Sequence, residues 1–310
     1  MESNHKLFCL GLLGLLFCSH AWSDTFVSPE CRPLEVDKQI YEGPTQYNKG
    51  LLWKVGKAGT QPSYLFGTIH VADDRILNLP AEVNDAIHNS SIFVMEALPD
   101  PEQALTLINM MYFNNRQSLH TMLSKPLFDR AVEILGSIYH LPEQSISMMK
   151  PWAAFLIMNY PPETGTVLDV ELLQIAQAGG AELSGLETLE EQGRVLNDLT
   201  IDAQIRLLTD TICHYDVMSE DFEKMKSFYL ARDLKGLFEY SHRYSISNDA
   251  VYEELLGKLL TQRNYRMTKR MQSTLQKGNA FIAIGAMHLP GKDGVLNLLK
   301  QRHYDISLVY

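Results

Sequence analysis

Two histidines in this chain share one local setting. Gly67-Thr68-Ile69-His70 follows the apolar run Tyr64-Leu65-Phe66, and Gly285-Ala286-Met287-His288 follows Ala280–Ile284. A glycine at the end of such a run lets the backbone turn sharply, or lets a ligand or neighbouring strand come close. The histidine then stands above the strand end. Glu96 closes the apolar run Ile92-Phe93-Val94-Met95, and a carboxylate leaving a core strand is costly unless it is paired or bound. Two His and one carboxylate with open positions form a common metal triad, which can activate a water. His70, Glu96 and His288 are therefore the candidate metal ligands, with Gly67 and Gly285 giving a bound group access to the backbone. Two plainer states stay open: two unrelated buried or capping histidines, and a Glu96 that only caps a helix or pairs with a cation. Within a site, Glu96 could be a ligand or the general base beside the ion.

Two more residues join the candidate catalytic set. Glu187 ends the run Glu182–Leu186, where it could orient a histidine or cap the helix starting near Leu189. Arg263 lies inside a long helical stretch, near one face with Met267 and Arg270. It could hold a substrate carboxylate or a developing oxyanion, or form a surface ion pair. His88, His120, His140, His214, His242 and His303 lack matched partners and read as surface or structural. His-Glu-x-x-His and Gly-x-Ser-x-Gly are absent, as are the P-loop and dinucleotide fingerprints.

These residues need a sheet to bring them together. Leu51–Val55 and Ser63–Phe66 read as strands around a Gly/Pro-rich hairpin loop, and Pro80–Ser90 as a helix leading to strand Ser91–Met95. Strand–helix–strand within so short a span is the unit of a parallel sheet. Pro126–Tyr139, Trp152–Met158 and Asp169–Ala178 are helical, the last ending at Gly179-Gly180 before strand Glu182–Leu186. Ile201–Tyr215, Ser219–Arg232 and Asn248–Gln276 are helical, the last one unbroken apart from a tolerated Gly257. Ala280–Ile284, a helix opened by Gly291–Gly294, and Asp305–Tyr310 close the chain. The expected class is α/β: a mixed, largely parallel sheet flanked by helices, with a large helical layer between the two Gly-x-x-His halves. Four strands far apart in sequence each end in His70, Glu96, Glu187 or His288. In parallel α/β sheets, ligands bind beyond those carboxyl ends.

Residues 1–23 read as a signal peptide, with Lys6, an apolar run from Leu7 to Cys18, and small residues at Ala21 and Ser23 before cleavage at Asp24. The run is shorter than the roughly 20 residues a spanning helix needs, so no stable membrane insertion is expected after cleavage. Phe8 and Phe17 before the leader cysteines argue against a lipid anchor. Residues 24–50 form an N-terminal arm and 51–310 one α/β domain. Export puts Cys31 and Cys213 in an oxidising compartment; they are either bridged, or free and buried respectively. With 27 Lys and Arg against 37 Asp and Glu, there is no clustered positive charge to track nucleic acid.

The chain resembles the TraB/GumN family, relatives of the Tiki membrane-anchored proteases. The residues that carry this include Leu52-Trp53-Lys54-Val55, Tyr64–His70, Leu79-Pro80 and Glu96. Lys150-Pro151-Trp152, Leu168-Asp169, Gly185–Thr188 with Gln192, Arg263-Asn264 with Met267, and Gly285–Gly291 continue it. The resemblance implies a fold shared with erythromycin-esterase-like and ChaN-like proteins, and an active site made of the paired Gly-x-x-His motifs and the glutamate. It implies a divalent metal, manganese or cobalt, with zinc possible, and a peptide or protein substrate. The expected protein is a periplasmic or secreted metal-dependent hydrolase of peptidase type. The alternative is a haem- or ligand-binding protein of ChaN-like type.

Overall fold

The computed structural model describes residues 26, 28–36, 43–162, 165–244 and 249–310, with the main chain only at 218 and 219. The expected leader, residues 1–23, lies outside the described residues. Six strands form one sheet: β1 (Leu52–Gly56), β2 (Ser63–Thr68), β3 (Ile92–Ala97), β4 (Glu182–Glu187), β5 (Ala280–Gly285) and β6 (Asp305–Leu308). Their order across the sheet is β4-β3-β5-β2-β1-β6. The first four of that order run parallel, while β1 pairs antiparallel with β2 and β6. This is the mixed, largely parallel α/β sheet that the pattern of apolar runs predicts. Parallel strands buried on both faces need continuous apolar sequence, which Ile92–Met95 and Ala280–Ile284 supply; all of these side chains are buried.

The register explains how the motifs meet. Thr68 on β2 sits opposite Gly285 on β5, and Met95 on β3 opposite Ala283. The two Gly-x-x-His turns therefore leave the sheet from adjacent strands at one level, and Glu96 emerges beside them. Across β4, β3, β5 and β2 the strand ends present Glu187, Glu96, His288 and His70 in a row. Gly67 is required by packing: a Cβ there would come within 2.7 Å of Leu289 Cδ1 and 3.0 Å of the Ala286 backbone.

One apolar cluster surrounds the sheet and a second fills a helical layer between Leu119 and Tyr215, with Leu255 added. Two helical expectations change. Ile201–Leu230 is one helix, where the sequence suggests two, because Asp216–Ser219 holds no Gly or Pro to stop it. The stretch expected as one helix after Asn248 is instead Ala250–Leu256, a π-helical turn Gly257–Gln262, Arg263–Arg270 and Gln272–Lys277. The wider turn resets the helical phase just before Arg263. Arg263, Asn264, Met267 and Thr268 then all face inward. Among the described residues no helix is long and apolar enough to cross a membrane.

Cys31 and Cys213 are bridged, with their Cα atoms 5.6 Å apart and a sequence separation of 182. Arg32 binds Asp210 and Asp249 beside the bridge, and its carbonyl lies 2.9 Å from His214 Nε2. The N-terminal arm is thereby fixed to the long helix. Such a closed loop restricts the unfolded chain, so Cys31→Ser should lower the unfolding free energy by about 2–4 kcal/mol. Denaturant titration measures this, and reducing agent should produce the same shift in the unaltered chain. A change below about 0.5 kcal/mol would mean that the bridge constrains little.

Candidate active site

Glu96 is the centre of the strand-end row. Its Oε1 accepts from Gly285 N at 2.7 Å, and its Oε2 accepts from Arg263 Nη2 at 2.5 Å and Gln192 Nε2 at 3.1 Å. Burial alone would raise this carboxyl; His288, Arg263 and His70 together bring it down to about 2. Arg263 is the partner that keeps its charge at every working pH. Glu96 is thus ionised, and about nine-tenths of its side chain is hidden from solvent.

Both histidines are held from behind. His70 Nδ1 donates to Asp169 Oδ2 at 2.8 Å, and Thr68 Oγ1 donates to Asp169 Oδ1 at 2.7 Å. The loop after β2 is tied to the helix Leu168–Ala178 by Leu168 N donating to the Val71 carbonyl, which brings Asp169 beneath His70. Burial disfavours the charged ring, but Asp169 outweighs it and raises His70 to about 9. The ring is enclosed on most sides, yet 42% of its side chain stays open to the cavity, so solvent there softens the burial penalty.

His288 is placed by a longer chain of contacts. The Asp293 carbonyl accepts from Asn264 Nδ2 at 2.9 Å, so Asn264 must turn Oδ1 toward His288 Nδ1, 2.6 Å away. Nδ1 then carries the proton. Burial lowers His288 to about 4, so at neutral pH its Nε2 is a bare lone pair. That lone pair faces Glu96 Oε1 at 3.6 Å. Two acceptors facing each other are satisfied only by a proton, a donor water or a cation between them.

Glu187 departs from both roles the sequence offered. It neither orients a histidine nor caps the next helix. Its side chain is fully buried and pairs with Arg263 and Arg266. Thr188 is the cap, in a reciprocal pair with Glu191. Arg263 is likewise not on a solvated face; its guanidinium bridges Glu96 and Glu187. Residues that sequence reasoning did not assign are Asp169, Asn264 and Gln192. Asp169 had one signal, an acidic side chain among apolar neighbours at a helix start. Asn264 and Gln192 had none beyond lying in the matched motifs.

His70, Glu96, Arg263, Gly285 and His288 line one cavity of about 500 Å³. Glu187 and Gly67 lie behind its wall. Each ring has Nδ1 engaged by an acceptor, which is how a metal-ligating histidine presents Nε2; His288 offers that nitrogen unprotonated, while His70 would release its Nε2 proton on binding, and with that release the donor chemistry fits a divalent cation. Among the described residues, no three His, Cys, Asp or Glu side chains lie close enough to form a finished ligand set. Ion binding would need a side chain to move or waters to complete the shell.

Comparison with known proteins agrees with the geometry. The sequence profile of the TraB/PrgY/gumN family matches residues 51–308. Metalloprotease TIKI2 of Danio rerio is 26% identical over 83% of this chain and 60% of the relative. Metalloprotease TIKI2 of Xenopus tropicalis is 25% identical over 83% and 59%, and Metalloprotease TIKI1 of Homo sapiens 24% over 83% and 61%. The chain thus spans about three-fifths of the length of these relatives. No solved structure matches it. A match across nearly the whole described α/β sheet, motif turns included, places the chain in the TraB/PrgY/gumN family.

Proposed function

We propose that the chain is an exported, divalent-metal-dependent peptidase. The observation that supports it most is His288 Nε2 facing Glu96 Oε1 at 3.6 Å, in the lining of a cavity that also holds His70. His70, Glu96 and His288 would hold the ion, manganese or cobalt in the first place and zinc in the second. When bound it would polarise a carbonyl and acidify a water. If Glu96 stands beside the ion instead of on it, its charge would suit it to take a proton from a water. Asp169 holds His70 Nδ1, so that the ring would turn Nε2 to the ion. Arg263 holds Glu96 in one rotamer and offsets its charge, while Asn264 fixes which His288 nitrogen faces inward. The disulfide and the expected leader support a periplasmic or secreted location. The names of the TIKI relatives support a protease and a peptide or protein substrate.

The test is peptide cleavage by the purified chain after chelation, then with Mn, Co or Zn restored. The expected result is loss on chelation and recovery with at least one of the three. Cleavage indifferent to metal contradicts the proposal. A Soret band on haem titration that vanishes in His70→Ala, with no cleavage under any condition, would favour the ligand-binding alternative instead.

A further inference from the structure

The cavity that holds Glu96 and the histidines is also lined by Phe222, Met225, Leu259 and Met287. All four are half-buried, so apolar surface faces the same space as the histidines. The charged groups nearby are already committed. Arg263 is shared by Glu96 and Glu187, and Lys226 is bound to Asp73 and Glu223. Apart from His70 and Glu96, the lining offers no free charge, so a charged substrate side chain seated on the four apolar residues would lose hydration without a partner there.

The cavity does not stop at this wall. A second one, of about 230 Å³, shares Asn159, Phe222 and Met225 with the first. Its lining is likewise mostly apolar, with Asp210, Asp221 and Arg243 among the lining residues and held in ion pairs. Tyr252 and Leu34 of the disulfide-fixed arm line it too. Two adjoining spaces that share Asn159, Phe222 and Met225 suit neighbouring residues of a chain better than one compact molecule.

We propose that this cleft binds an extended peptide with a bulky apolar side chain beside the reacting bond, seated on Met225, Leu259 and Met287, and that the peptide continues past Phe222 into the second cavity. The choice of a peptide rests on the peptidase assignment above. The apolar seat gains from the area it removes from water, and the second space adds contacts only for a longer ligand.

Binding to the chelator-treated chain, followed by calorimetry, tests this without needing turnover. The probes are acetyl-Gly-Xaa-Gly-amides with Xaa as Leu, Phe, Asp or Lys, and versions extended by two residues at either end. Leu and Phe should bind about tenfold or more tightly than Asp and Lys. Extension at one end should tighten binding by about threefold or more. Leu34→Trp, which fills the second space from the arm, should remove that gain and leave short-peptide binding unchanged. Equal or reversed preference, no binding at millimolar peptide, or a length gain that survives Leu34→Trp would each overturn the proposal. The two ideas fail separately. Selective binding with no metal-dependent cleavage removes the peptidase assignment alone. Metal-dependent cleavage with no apolar preference removes the apolar seat alone.

Discussion

Glu96→Gln should lower kcat for peptide cleavage by about a hundred- to ten-thousandfold, the range that a positioned acid–base group contributes. The substitution keeps the shape and removes the charge. It also conflicts with its surroundings. Glu96 accepts from Gly285 N on one oxygen and from Arg263 and Gln192 on the other. An amide can accept on one side only, so its NH2 must face either the Gly285 N–H or the guanidinium. If it faces Gly285 it can also donate to His288 Nε2, filling the gap where a cation or water is expected. KM should change less than kcat, and circular dichroism should show a retained fold. Unchanged kcat in a folded variant would remove Glu96 from the chemistry.

Arg263→Met should be the most damaging change to stability, by about 3–5 kcal/mol. Arg263 is itself 10% exposed and joins two carboxylates, one 9% and one 0% exposed. Methionine fits the volume but strands both charges. Arg266 still reaches Glu187, so the larger loss falls on Glu96. The pH dependence follows with a definite sign. With Arg263 present, Glu96 is held at about 2, and its pairing stabilises the fold above the ordinary carboxylate value. Without Arg263, one of the charges that oppose burial is gone and the carboxyl moves up from that value, although His288, His70 and the Gly285 N–H still hold it down. The folded variant then binds more protons than the folded parent between the two values, so its penalty grows as pH rises through that window and shrinks below it. Denaturant titrations at several pH values check this. A penalty under about 1 kcal/mol, or one constant with pH, would mean that the carboxylates do not depend on Arg263.

How much of this is legible in sequence depends on whether a feature is local. The strands are legible because β-branched and aromatic runs between turn residues are local signals. Their convergence follows from strand–helix–strand order, and hence so does the meeting of His70, Glu96 and His288. The role of Glu187 is not legible. Its partners Arg263 and Arg266 arrive from a helix far along the chain, and the phase of that helix depends on the π-turn at Gly257–Gln262. An unbroken amphipathic pattern gives no warning of such a turn. Asp169 and Asn264 escape for the same reason. Each is defined by a hydrogen bond to a histidine on another element. The fusion of the two expected helices into Ile201–Leu230 follows from a junction, Asp216–Ser219, without Gly or Pro to end the first of them.

We propose that His70, Glu96 and His288 act as one ion-binding unit. Equilibrium dialysis of the chelator-stripped chain against manganese tests it most directly, with His70→Ala, Glu96→Ala and His288→Ala measured alongside. One ion per chain is expected in the unaltered protein, with a loss of affinity of about tenfold or more in each variant. An unaltered chain that binds no ion, or three folded variants that bind it as tightly as the original, would contradict it.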